Sequence, residues 1–126
     1  MPKTVPETPS APQSLAPYSA ATEAAGLVFL SGQVGLDPIS GERAPDEVGA
    51  QAHQVMRNIG AVLGDLGLGY EDIVKTTVFL ADISDFGAVN EIYQSYFDGP
   101  FPARSAVQAG ALPAGFLVEI EVVAAR

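Results

Sequence analysis

From Val48 to Leu66 the apolar residues Val48, Ala52, Val55, Met56, Ile59, Val62, Leu63 and Leu66 recur at the three- and four-residue spacing of one helical face. Gly67 and Gly69 follow, suited to ending a helix. Such a helix runs about 28 Å at the usual rise, and its single apolar stripe needs a flat partner to cover it. The rest of the chain supplies that partner as strands. Leu27-Val28-Phe29-Leu30-Ser31-Gly32-Gln33 is a compact buried strand forming a hairpin with the alanine-rich segment before the turn at Glu23-Ala24-Ala25-Gly26. Ile73 to Leu80 is the strongest strand by β-branched content, and Arg104 to Ala109 and Phe116 to Ala125 follow. Between them a second helix, capped by Ser84 or Asp85 and stopped at Asp98-Gly99-Pro100, buries Phe86, Val89, Tyr93, Tyr96 and Phe97.

The order strand, strand, helix, strand, helix, strand, strand predicts an α+β fold, with both helices packed on one face of a mixed β-sheet. At 126 residues the chain suffices for one domain. Residues 1–14, with Pro2, Pro6, Pro9 and Pro12 among small polar neighbours, read as a flexible arm outside the fold, leaving 15–126 as the domain. In the last strand Val118, Ile120, Val122 and Ala124 form an apolar face for the helices, while Leu117, Glu119, Glu121 and Val123 face the other way. That mixed face, in a chain 48% hydrophobic, predicts cover from another copy of the chain.

Composition excludes several functions. The formal net charge is −9, and Lys3, Arg43, Arg57, Lys75, Arg104 and Arg126 form no basic stripe for a phosphate backbone, so nucleic acid is not an expected partner. There is no cysteine and one histidine, hence no thiolate nucleophile and no imidazole cluster for a metal. His53 and Arg57, one turn apart and off the stripe, read as solvent-facing. No apolar run approaches the roughly 20 residues that span a bilayer, and the N-terminus lacks a basic region followed by an apolar run, so no membrane association and a cytoplasmic location are expected.

The chemistry concentrates near the C-terminus. Arg104 shares a strand face with Ala106 and Gln108, and Glu119 shares one with Glu121. A charge taken from water needs a partner or a ligand. Two uses stand open on the residues alone: an ion pair between neighbouring strands, or an arginine that binds a carboxylate beside a glutamate that does chemistry.

Several ungapped blocks resemble one family. They are Ala16-Pro17-Tyr18-Ser19, Leu30-Ser31-Gly32-Gln33, Val74-Lys75-Thr76-Thr77-Val78-Phe79-Leu80, Asp85-Phe86 through Val89-Asn90 and Tyr93, Phe101-Pro102-Ala103-Arg104-Ser105-Ala106-Val107, Leu112-Pro113, and Val118-Glu119-Ile120-Glu121. In this order and spacing, from Ala16 to the end, they resemble the Rid family of reactive-intermediate deaminases, also called the YjgF type. The resemblance implies a chorismate-mutase-like fold, a homotrimer with sites in the clefts between subunits, and hydrolysis of enamines and imines such as 2-aminoacrylate and 2-iminopropanoate to 2-keto acids and ammonia, with no cofactor and no metal. It implies that Arg104 holds the substrate carboxylate and Glu119 activates water. Burial is expected to raise the pKa of Glu119, and Glu121 is assigned a structural role. It further implies that Tyr18 closes over the substrate, that Ser31 and Asn90 supply or organise polar contacts, and that the Ala106 backbone N–H bonds the substrate.

Four positions depart from the family pattern: Ala106 stands for a cysteine common there, Ala111 for an arginine, Ala114 for a lysine and Ala16 for a glycine. These bear on substrate preference more than on reaction type. Two other functions fit parts of the sequence. A non-catalytic trimer could bind keto acids through the same arginine, and some relatives of this type are described as ribonucleases or translation inhibitors, which the acidic balance opposes.

Overall fold

The apolar stripe forms α1 (Val48–Asp65), an 18-residue helix whose start and end are set locally. The Glu47 carboxylate accepts from the backbone N–H of Gly49 at 2.8 Å and of Ala50 at 2.6 Å, satisfying two amides that have no partner within the helix. At the other end Gly67 sits at φ +74°, where a side chain would be strained, and Leu68 N–H returns to the Leu63 carbonyl at 2.9 Å. The computed structural model describes residues 2–12 and 14–126.

Five strands build one sheet: β1 (Ala21–Ala24), β2 (Leu27–Gln33), β3 (Ile73–Leu80), β4 (Ala103–Gln108) and β5 (Val118–Ala125). Their spatial order is β1-β2-β5-β3-β4. All pairs are antiparallel except β3–β4, whose parallel pairing requires a crossover, supplied here by α2 (Phe86–Gln94). The sheet is therefore mixed, as the sequence predicts. Register places Val28 opposite Ala124, Leu30 opposite Val122, and Val78 opposite Ile120. These six side chains share one face, and all are buried with the stripe of α1 and with Val89 and Tyr93 of α2. Both helices thus cover that face.

Two buried polar residues on α1 connect it to the loops. Gln51, fully buried, accepts from Leu117 N–H at 2.8 Å just before β5. Asn58 donates to the carbonyls of Val34 at 3.1 Å and Leu36 at 2.8 Å just after β2. Gln51→Leu keeps the volume but strands the Leu117 amide, so a loss of about 1–3 kcal/mol is expected from denaturant unfolding.

Three local expectations need correction. Asp85 stands at the N-cap position of α2, as one of the two residues expected there, but its side chain makes no capping bond; the capping side chain is that of Asp82, which accepts from Ser84 N–H at 2.9 Å at the head of a 3₁₀ turn (Ile83–Asp85) leading into the helix. Tyr96 and Phe97 lie past the end of α2 yet still pack against the core, since the turn that follows keeps them on the same side. Residues 1–14, read from sequence as outside the fold, have their described part laid along the domain. Thr4 exchanges two backbone hydrogen bonds with Glu23 on β1, and Ser10 donates through N–H and Oγ, each at 2.8 Å, to Asp65 at the end of α1. Proline removes donors but not the pairing capacity of the residues between, and the open edge of β1 has backbone groups to satisfy.

The sheet face away from the helices carries Phe29, 43% exposed, and Val107, 45% exposed, beside Glu119 and Glu121. No helix among the described residues is long and apolar enough to cross a membrane.

Candidate active site

Arg104 lies on the edge strand β4, opposite Thr76 of β3, and its side chain meets α2 on the helix side of the sheet. Phe86, Asn90 and Tyr93 recur on α2 at helical spacing, so one stripe presents all three to the arginine. Nη1 of Arg104 donates to Asn90 Oδ1 at 2.7 Å, while the guanidinium carbon sits 5.0 Å from the Tyr93 ring centre and 5.2 Å from that of Phe86. Tyr93 is itself anchored by a 2.7 Å hydrogen bond between its hydroxyl and Thr76 Oγ1, and burial pushes its phenol pKa up. Among the described residues no carboxylate pairs with Arg104. A guanidinium has five N–H donors. With Asn90 taking one, Arg104 keeps capacity for a planar anion in a recess of about 320 Å³ lined by Asn90, Tyr93, Gln94, Phe101 and Pro102. Ala106 is the next residue on that strand face, opposite Val78.

The glutamates lie elsewhere. Glu119 pairs with Phe79, and Val118 and Ile120 on either side of it point into the core, so Glu119 projects from the open face. Burial raises its pKa above the ordinary glutamate value of 4.5, and the neighbouring Glu121 charge raises it further. Between Leu30 and Gln33 the β2–β5 register slips, three steps along β2 matching two along β5, which puts a bulge at Ser31 and Gly32 beside these glutamates. The bulge brings bare backbone against Glu119: a Cβ added at Gly32 would collide with its carboxylate. Ser31 Oγ donates to the Ser19 carbonyl at 2.6 Å and Ser31 N–H to that of Ala20 at 2.9 Å, holding the segment that carries Tyr18. Tyr18, Ser31, Gly32, Val34, Pro113 and the two glutamates line a recess of about 420 Å³.

Within one chain, then, Arg104, Asn90 and Ala106 form one group and Tyr18, Ser31 and Glu119 another. They are on opposite faces of the sheet. The ion pair between neighbouring strands, one of the two uses open from sequence, is absent because β3 runs between β4 and β5 and the two side chains point apart. His53, read as solvent-facing, is instead half-buried with Nδ1 2.9 Å from the Tyr96 hydroxyl, because Tyr96 reaches back over α1. Sequence reasoning does not single out as site residues Phe86, Tyr93 or Thr76, which hold the Arg104 side chain or its neighbours in place. Their signal was present in part, since Phe86, Asn90 and Tyr93 lie at i, i+4 and i+7. Among the described residues no group of three or more His, Asp or Glu side chains is placed to hold a metal ion.

Fold and site together define a small α+β protein of one mixed sheet and two helices, with an arginine that no carboxylate of the described residues pairs on one face and a half-buried carboxylate on the other. The chain belongs to the family described as Endoribonuclease L-PSP, whose model matches residues 8–126. It is 49% identical over 119 residues to a protein of Mus musculus named 2-iminobutanoate/2-iminopropanoate deaminase, covering 94% of this chain and 88% of that one. A protein of Homo sapiens with the same name is 47% identical over 117 residues, covering 93% and 85%. A crystal structure from Yersinia pestis, of a protein of unknown function in the conserved Rid family, superposes with a TM-score of 0.94 at 44% identity over 99% of this chain and 100% of that one. The resemblance to the Rid family is thereby confirmed.

Proposed function

We propose that this protein hydrolyses small imines and enamines that carry a carboxylate, giving a 2-keto acid and ammonia, in clefts formed between copies of the chain in a homotrimer. The observation that carries this reading is the division of the site. Arg104 and Glu119 cannot reach one small substrate within a chain, but the exposed apolar residues around Glu119 suit the approach of a second protomer carrying Arg104. The deaminase names of relatives covering most of the chain support the reaction class.

In this reading Arg104 grips the substrate carboxylate through two parallel charge-assisted hydrogen bonds, each contributing about 1.5–3 kcal/mol. The rings of Phe86 and Tyr93 and the Asn90 amide hold the guanidinium plane, and with it the plane of the substrate. Glu119 of the neighbouring protomer takes a proton from a water whose oxygen attacks the imine carbon, and the imine nitrogen gains a proton. Collapse of the carbinolamine breaks the C–N bond, forms the carbonyl and releases ammonia. An enamine first takes a proton at its terminal carbon to become the imine. The raised pKa of Glu119 brings its basicity closer to that needed at neutral pH. Tyr18 closes the cleft, Ser31 sets its backbone, and the Ala106 N–H contributes a donor.

The test is ammonia release from freshly generated 2-aminoacrylate and 2-iminopropanoate. Acceleration over the uncatalysed rate is expected; binding of pyruvate without acceleration would establish a keto-acid-binding trimer instead. The family description raises a ribonuclease reading, which the net charge of −9 opposes. RNA cleavage that falls steeply with salt would revive it. Gly32→Ala, which displaces the Glu119 carboxylate without straining the backbone, is expected to lower turnover on the order of 10²-fold while leaving the unfolding midpoint unchanged.

A further inference from the structure

Phe97 packs against two residues that line the Arg104 recess and itself lines a second recess. One side of its ring packs with Tyr93 at 4.9 Å and Phe101 at 6.0 Å between centres, both of which line the Arg104 recess. It also lines a recess of about 330 Å³ with Tyr70, Tyr96, Glu71, Asp98 and the turn at Pro100. The three rings form one cluster, Tyr70 standing 5.4 Å from Tyr96 and 6.1 Å from Phe97 between centres. Both phenol hydroxyls are committed to the protein. Tyr70 donates to the Met56 carbonyl at 2.7 Å, and Tyr96 is 2.9 Å from His53 Nδ1. The side chains lining the recess are therefore left with ring carbon and two carboxylates, and with no free donor.

That inventory selects a ligand. An anion or a carbonyl compound finds no side-chain donor there. A bare metal ion finds only two carboxylates, and no group of three or more His, Asp or Glu among the described residues is placed to complete its shell. A nitrogen cation wrapped in alkyl groups matches both components: its methyl groups need no hydrogen bonds and pack on aromatic carbon, while its charge is attracted by the rings and by the carboxylates. Glu71 and Asp98 are exposed, and among the described residues neither enters an ion pair. Arg57, whose charge is felt at Tyr70, is exposed and donates to Gln54 Oε1 at 3.0 Å. The chain's net charge of −9 adds a general attraction for cations.

We infer that this recess, walled by Tyr70, Tyr96 and Phe97 and flanked by Glu71 and Asp98, binds a small alkylated ammonium ion. The site is separate from the proposed deaminase chemistry and stands without it.

The experiment is an amide chemical-shift titration of the full chain with choline and with its uncharged carbon isostere, 3,3-dimethylbutan-1-ol, at ionic strength held constant with sodium chloride. Saturable shifts centred on Tyr70, Glu71 and Phe97 to Gly99 are expected, with choline binding about threefold to tenfold tighter than the isostere. Neutralising the two exposed carboxylates in Glu71→Gln/Asp98→Asn is expected to weaken choline severalfold and leave the isostere unaffected. Tyr96→Leu, provided that its amide spectrum stays native, is expected to weaken both. Equal binding of the two compounds, shifts centred elsewhere, absence of saturation, or undiminished choline affinity in the carboxylate variant would each overturn the assignment.

Discussion

Glu119→Gln is expected to lower turnover of 2-iminopropanoate by about 10²–10⁴-fold, the range lost when a positioned general base is removed, with little change in the affinity for pyruvate. Glutamine fills the same space beside Gly32 and can hold a water, but cannot accept its proton. The pH profile gives a sharper test. Burial first, and the Glu121 charge second, raise the Glu119 pKa above 4.5, so the acid limb of kcat/KM is expected above that value. Activity then rises with pH as Glu119 ionises. Glu121→Gln removes a like charge and is expected to move that limb to lower pH. Stability runs the other way. A carboxyl whose folded pKa is raised stabilises the fold fully below its unfolded pKa and loses that contribution as pH rises through the folded value. In the isolated chain, Glu119→Gln is thus expected to reduce the fall in stability over the window from 4.5 up to the raised value. A limb that does not move in Glu121→Gln would separate the measured pKa from Glu119.

Arg104→Ala is expected to abolish measurable turnover for a different reason. It removes the bidentate contact that positions the substrate, so both kcat and the affinity for keto acids fall. Arg104→Lys restores charge but not the planar fork, and should recover only a small part. The decisive form of the experiment mixes two inactive proteins. If each cleft takes Arg104 from one protomer and Glu119 from the next, random reassembly of Arg104→Ala with Glu119→Gln leaves roughly one cleft in four with both residues intact. Activity near a quarter of wild type is expected after unfolding and refolding the mixture together, and none after refolding the two apart. Absence of recovery in trimers shown to be mixed would mean that each site lies within one chain, against the opposite-face placement of the two residues.

Much of this protein was legible in the chain itself. The stripe from Val48 to Leu66 needed no tertiary context to declare a helix, because its period and the glycines beyond it are local properties. The alternation of Val118, Ile120, Val122 and Ala124 against Glu119 and Glu121 likewise follows from strand geometry, and all four apolar residues are buried. The boundaries of β2 and β3 were readable for the same reason. Less legible were features that depend on distant partners. Asp82 caps the turn before α2, the stretch from Thr4 to Ser10 is pinned on Glu23 and Asp65, and His53 is drawn in by Tyr96. In each case the deciding hydrogen bond comes from where the backbone bends or from a residue far along the chain.

The site divides in the same way. Arg104 and Glu119 stood out in the sequence as charges on strand faces, which need a partner or a ligand. Which partner was not identifiable, because strand order is not a local property. Only the insertion of β3 between β4 and β5 sets the arginine against α2 and the glutamate on the open face, and only the register slip at Ser31 and Gly32 makes room for the Glu119 carboxylate. Sequence alone determined the two helices, the strands and the charged residues they carry, through periodicity and propensity. The tertiary structure decided which of those charges can meet, because side-chain direction relative to a shared sheet is settled by pairing and register.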